Sequence, residues 1–196
     1  MINVMETKNY KPQIANYFAR LKQTLDAIDV ETLNQLMNLL EASREQGQQV
    51  FIMGNGGSAA TASHFVCDFN KGLSENREKR YRFICLNDNL PMLMAYANDH
   101  SYEEIFLGPL QNYFRAGDVV IGISGSGNSA NVVKAVEWAR THGGVTVALT
   151  GYDGGRLKQI AEYGVHIPIN DMQITEDLHM VLDHCMMKIL YEEIYG

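Results

Sequence analysis

Five short apolar runs, each followed by a segment of helical spacing, leave this chain few folds to choose from. The runs are Val50–Met53, Arg82–Leu86, Val119–Ile123, Thr146–Leu149 and Val165–Ile169, each of strand length and bounded by turn residues. Helical spacing fits Ser58–Gly72, Met92–Asn98, Tyr102–Phe114, Ser129–His142, Gly155–Tyr163 and Thr175–Tyr195. Strands that are apolar throughout are buried on both faces, the pattern of a parallel sheet covered by helices on each side. Upstream, Tyr10–Ile28 carries Ile14, Phe18, Leu21 and Leu25 at helical spacing, and Asp29 is placed to cap a second helix, Val30–Glu45, which Gly47 ends. The expected architecture is one α/β domain over residues 1–196, with a helical arm over about residues 1–47 whose apolar face serves either the core or an oligomer interface.

Two strand ends open into glycine and serine. The first is Gly54-Asn55-Gly56-Gly57-Ser58; the second is Ser124-Gly125-Ser126-Gly127-Asn128-Ser129. Such turns hold anions: glycine lets the backbone close on the ligand, helix-start N–H groups point at it, and hydroxyls add donors. A lone turn of this kind is often only a tight connection. Two at the same sheet edge point to a phosphorylated small molecule bound at the carboxyl ends of the strands. Neither the G-x-G-x-x-G dinucleotide spacing nor a G-x-x-x-x-G-K-[ST] loop is present, which sets nucleotides aside.

Composition narrows the setting. Net charge is −7 with no block of Lys or Arg, so neither nucleic acid nor an anionic membrane is expected as a partner. The odd cysteine count (Cys67, Cys85, Cys185) and the absence of a C-x-x-C pair lead us to expect reduced, buried thiols and a cytoplasmic location. Met1–Glu6 lacks the basic-then-apolar pattern of a signal peptide, and no apolar run reaches membrane-spanning length.

Titratable groups gather in two places. His64 and Asp68 lie four apart on one predicted helix face, a spacing that suits either a shared metal or an acid/base pair. The last helix carries Glu176, Asp177, His179, Asp183 and His184 in an otherwise apolar run. By spacing, Glu176, His179 and Asp183 share one face and His184 points elsewhere. The plain structural expectation is a solvated face for the first three and a core place for His184. His142 and His166 lack supporting neighbours and are expected to be structural or surface residues. The charged run Glu75–Arg80 reads most simply as a solvated loop, with bases that could touch an anionic substrate.

Gly54–Ala60, His64-Phe65, Ala97-Asn98-Asp99, Ile123–Asn131 and Thr150–Gly155 together resemble the sugar isomerase (SIS) domain, and in particular the phosphoheptose isomerases. The resemblance covers nearly the whole chain. It implies a flavodoxin-like five-stranded parallel sheet and a homotetramer with active sites between subunits. It also implies conversion of sedoheptulose 7-phosphate to a heptose 7-phosphate through an enediol. On that resemblance Ser124, Ser126 and Ser129, with Asn55, Gly56, Ser58 and Asp99, hold the sugar phosphate. Asp68 and His184 are the catalytic pair, and His64, Asp68, Glu176 and His184 surround a divalent metal, commonly zinc.

Three departures mark this chain. Asp68 stands where the family usually has glutamate, Glu176 where it has glutamine, and Gly72 where a basic residue is expected, with Lys71 beside it. Eight residues of helix span about 12 Å, so Glu176 and His184 meet one ion only if the helix bends or begins after Glu176. The alternative function is a non-catalytic SIS module that binds a phosphosugar or a protein partner, like the replication-initiator-binding members of this fold. The presence of His64, Asp68 and His184 favours the enzyme.

Overall fold

Val119–Ser124 is buried at every position, and that burial decides where it lies: in the middle of a sheet, with helices above and below. The structure is a computed structural model that describes residues 8–195; the Met1–Glu6 segment lies outside the described residues. In chain order the elements are α1 (Lys11–Asp26), α2 (Val30–Gln46), β1 (Val50–Gly54), α3 (Gly57–Cys67), one π-helical turn (Asp68–Gly72), β2 (Phe83–Cys85) and α4 (Leu90–Asp99). A short 3-10 turn (Tyr102–Glu104) precedes α5 (Leu107–Tyr113), β3 (Val119–Ser124), α6 (Ala130–Thr141), β4 (Val145–Thr150), α7 (Gly155–Ile160), β5 (Tyr163–His166) and α8 (Met172–Tyr195).

All five strands are parallel, in the order β2-β1-β3-β4-β5. This is the flavodoxin-like arrangement, whose strand order reverses between β1 and β3. Residues alternate between faces along each strand. Val50, Ile52, Ile121 and Ile123 pack with Leu36, Leu40, Phe65, Phe69, Leu178, Leu182 and Met186 on one side. Phe51, Met53 and Val120 pack with Phe106, Leu110, Val132, Val136 and Leu157 on the other. The first face therefore carries α2, α3 and α8. Asp29 caps α2 by accepting from Glu31 N, and Gly47 ends it in the left-handed conformation, as expected from the sequence. Among the described residues no helix is long and apolar enough to cross a membrane.

Several expected elements take other bounds. A continuous helix over Tyr102–Phe114 would set the Pro109 ring against a preceding carbonyl, so the segment splits and Pro109 falls in the first turn of α5. The helix expected over Gly155–Tyr163 stops at Ile160, and β5 runs over Tyr163–His166 rather than Val165–Ile169. Pro168 cannot donate to a ladder, so the strand ends before it. The Ser58–Gly72 helix changes at Asp68 into the π-helical turn, closed by Leu73 N donating to Asp68 O. Of the three thiols, only Cys85 is buried; Cys67 is exposed and Cys185 half-buried.

The polar face of α8 is the main correction. His179 and Asp183 are fully buried, in line with Thr175, whereas His184 is exposed. Four-residue steps carry Thr175, His179 and Asp183 along one inward-facing row beside Ile174, Leu178, Leu182 and Met186. Neither His179 ring nitrogen has a hydrogen-bond partner. Burial holds this imidazole neutral, its pKa lowered from 6.5 to about 4.

That shift ties stability to pH. The unfolded chain protonates His179 near 6.5, so the contribution is fully present above that pH and is lost as pH falls toward 4. His179→Leu should flatten the acid limb of stability by up to about 3 kcal/mol, at about 1.4 kcal/mol per pKa unit. Urea unfolding of both proteins, repeated from about pH 7 down to about pH 4, reads this directly. Parallel pH profiles for the two proteins would refute it.

Candidate active site

β1 and β3 pair directly, Gly54 opposite Ile123, so the two glycine-serine turns emerge side by side at the carboxyl edge. They enclose a cavity of about 190 Å³ lined by Asn55, Ser58, Ile123, Ser124, Gly125, Ser126, Ser129, Met172 and Glu176. Ser124 and Ser129 are bonded Oγ to Oγ at 3.0 Å, and Ser126 Oγ accepts from Asn128 N at 3.2 Å. Ser129 precedes α6 without its side chain capping the helix; the hydroxyl turns to Ser124 instead. The first N–H groups of α6 and the serine hydroxyls form a donor-rich cradle suited to a phosphate. Asn55 is fixed by a reciprocal amide pair with Asn131, 2.9 Å each way, and by Tyr102 OH at 2.9 Å. Gly56 turns the chain into α3 at φ +55°.

The serine turn depends on Gly127. Its φ is +67°, and an added Cβ would stand 1.9 Å from Gly154 O. The turn is tied down by Gly151 N donating to Gly125 O and Leu157 N to Gly127 O, both at 2.8 Å.

The second group of candidate side chains lies along the seam between α3 and α8. Glu176 packs on Gly57, where an added Cβ would stand 2.2 Å from Glu176 Oε2, and Gly72 faces Met187 in the same way at 2.7 Å. The two segments therefore run side by side in the same direction. Between these contacts, His64 Nε2 lies 3.0 Å from His184 Nε2 and 3.6 Å from Asp68 Oδ2. One ligand atom from each of His64, Asp68, Asp183 and His184 falls within 4.8 Å of the others. Asp183 is the buried member: neither carboxylate oxygen has a hydrogen-bond partner, and burial, with the nearby charge of Asp68, pushes its pKa up to about 8. Imidazole nitrogens and carboxylate oxygens are the donors a divalent ion takes. Neighbouring ligand atoms about a tetrahedral zinc stand about 3.3 Å apart, between the 3.0 and 3.6 Å found here. These residues fit a metal.

The site residues expected from the sequence thus fall into two sets, and the helical residues between them on α3 and α8 rise about 10–12 Å. Asn55, Gly56, Ser58, Ser124, Ser126 and Ser129 gather at the cradle, while His64, Asp68 and His184 converge below it. Glu176 belongs to the cradle end and is not in the His/Asp cluster, because α8 is regular through it. Asp99 is exposed at the end of α4, accepting from Asn98 Nδ2, and lines none of these surfaces. The sequence pattern sets Asp183 on a solvated face of the last helix and gives Asn131 no role of its own; only the fold shows Asn131 holding Asn55 and Asp183 facing the two histidines. A wider cavity of about 440 Å³ lies beside β5, lined by Lys158, Glu162 and His166 among others, and it contains none of the cluster.

Gly127→Ala should destabilise the protein by about 2–3 kcal/mol, since strained backbone and a backbone clash act together. Denaturant midpoints measure this, and an unchanged midpoint would contradict the geometry.

Comparison with known proteins agrees with this arrangement. The family model described as the SIS domain matches residues 14–151. The chain is 36% identical over 163 residues to a phosphoheptose isomerase of Citrifermentans bemidjiense, covering 83% of this chain and 84% of the relative. A phosphoheptose isomerase of Thermodesulfovibrio yellowstonii is 33% identical over 180 residues, covering 90% and 87%. Among solved structures, a phosphoheptose isomerase from Neisseria gonorrhoeae superposes with a TM-score of 0.84 at 30% identity, covering 93% of this chain and 98% of that one. One from Francisella tularensis gives 0.83 at 25% identity, covering 94% and 100%. With its serine cradle at the β1–β3 switch point and its matched length, the chain belongs to the SIS-domain family, in the phosphoheptose isomerase group.

Proposed function

We propose that this protein is a phosphosugar aldose–ketose isomerase that interconverts sedoheptulose 7-phosphate and a heptose 7-phosphate. One observation carries the reading. A phosphate-sized donor cradle and a His/carboxylate cluster stand at two ends of one seam, about two turns of helix apart. The relatives named phosphoheptose isomerase supply the substrate class.

In this reading the phosphate sits among Ser124, Ser126, Ser129, Ser58 and Asn55, and the carbonyl end reaches His64, Asp68 and His184. Asp68 takes the proton from C1 of the ketose and returns it to C2. His184 gives a proton to O2 and receives one from O1, so no redox partner is consumed. Asp68 would hold a shared ion through one oxygen and keep the other for the proton. A divalent cation held by His64, Asp68 and His184, zinc being the ion we favour for these donors, supplies Lewis acidity toward the carbonyl oxygen when bound. Glu176, beside Gly57 in the cradle, is placed to accept from sugar hydroxyls.

The same reading includes self-association, with a homotetramer as the state we favour and active sites between subunits. Tyr10, Ile14, Phe18 and Leu25 on and beside α1 are each more than two-fifths exposed, a run of apolar surface that a second copy of the chain would cover. The free thiols fit a reducing compartment, and we place the protein in the cytoplasm.

Turnover of sedoheptulose 7-phosphate, followed by NMR of the sugar carbons, tests the activity. His184→Ala should lower kcat/KM at least about a hundredfold, and full activity in that variant would end the assignment. Ser124→Ala should act chiefly on KM. Placing aspartate at both Ile14 and Phe18 should yield a smaller species in light scattering; an unchanged mass would remove α1 from the interface.

A further inference from the structure

We propose that Asp183 is a direct ligand of the divalent ion in this chain, completing a set with His64, Asp68 and His184 from which Glu176 is excluded. The inference rests on the metal-assisted reading above and adds to it a ligand that neither the sequence pattern nor the relatives' names supply.

Asp183 is fully buried, and neither of its oxygens has a hydrogen-bond partner. A carboxylate removed from water in this way is costly in either protonation state: ionised, it lacks a countercharge, and protonated, its hydroxyl lacks an acceptor. Its surroundings offer one chemical resolution. An oxygen of Asp183 lies within 4.8 Å of the Asp68 oxygen and of the ring nitrogens of His64 and His184. Two imidazoles and two carboxylates around a divalent cation pair every donor with the ion and bring the ligand charge into balance with it.

The backbone explains how adjacent residues reach one point. His64 and Asp68 approach from α3, one helical turn apart, with Asp68 at the start of the π-helical turn. Asp183 and His184 are consecutive on α8, so their side chains diverge: Asp183 faces inward and His184 lies at the exposed rim. The cluster fits between them, with Asp183 as its floor. The backbone of Glu176 lies about 12 Å up the same helix, and its carboxylate stands over Gly57, outside the cluster of ligand atoms. The shorter reach of Asp68 leaves room in the cluster for a second carboxylate.

The test is metal binding by the full-length protein, stripped with chelator and titrated with Zn²⁺ against a chromophoric competitor. Wild type should bind one ion per chain at this site. Asp183→Asn, which keeps the shape of the side chain, should weaken affinity at least about a hundredfold, and Glu176→Gln should leave affinity at the wild-type level. A gain-of-signal variant guards against misfolding. Asp183→Cys loaded with Co²⁺ should acquire a sulfur-to-cobalt charge-transfer band absent from wild type, whereas Glu176→Cys should not. Wild-type affinity in Asp183→Asn, loss of binding in Glu176→Gln, the band in Glu176→Cys alone, or no ion bound by wild type would each overturn the assignment. Turnover is not read in these experiments. A protein that binds metal through Asp183 yet leaves sedoheptulose 7-phosphate unchanged would keep this inference and end the functional one.

Discussion

The register of β1 against β3 is the constraint on which the rest of the site depends. Gly54 lies opposite Ile123 in a parallel pair, so two turns far apart in the chain leave the sheet as neighbours. Parallel strands require crossovers, and the crossovers after β1 and β3 go to opposite faces: α3 joins the layer of α8, and α6 joins that of α5 and α7. The crevice between them is where a ligand can approach both turns at once. A one-residue slip of β1 would turn Ile52 and Phe51 to the wrong faces and separate the Asn55–Asn131 pair that ties the turns together.

From that pairing the seam between α3 and α8 follows. α3 begins at the end of β1 and α8 crosses the same face, so the two run together from Gly57 and Glu176 at the cradle to Gly72 and Met187 below. Along this line the protein departs from what a stable core would choose. Thr175, His179 and Asp183 occupy inward positions that leucine or methionine could fill, and two of the three are left without hydrogen-bond partners. Buried polar groups of this kind cost stability unless something else answers them. At Asp183 the neighbouring imidazoles and Asp68 indicate what that is, whereas at His179 the cost takes the form of acid sensitivity.

Much of the fold was legible without coordinates. Apolar runs without alternation marked five parallel strands, and the glycine-serine turns marked the ligand edge, because both patterns follow from burial and backbone geometry within a few residues. Proline accounts for two of the departures in element bounds: Pro109 split a helix and Pro168 ended a strand earlier than hydrophobic content suggested. The cradle residues stand out in the sequence because their chemistry lies in two short contiguous turns, 54–58 and 124–129. Asp183 does not, since a helix hydrophobic on most sides gives no local sign of which polar residues face the sheet.

The sequence by itself determined the strand–helix alternation, the two glycine-serine turns, the His64–Asp68 spacing and the family resemblance, all set by interactions between near neighbours in the chain. Tertiary structure alone decided that His184 reaches His64 across 120 residues, that His179 and Asp183 are buried, and that Glu176 stays at the cradle. The physical reason is the rotation of α8 about its own axis. Packing of Leu178, Leu182 and Met186 against the sheet fixes that rotation, and with it which titratable side chains meet.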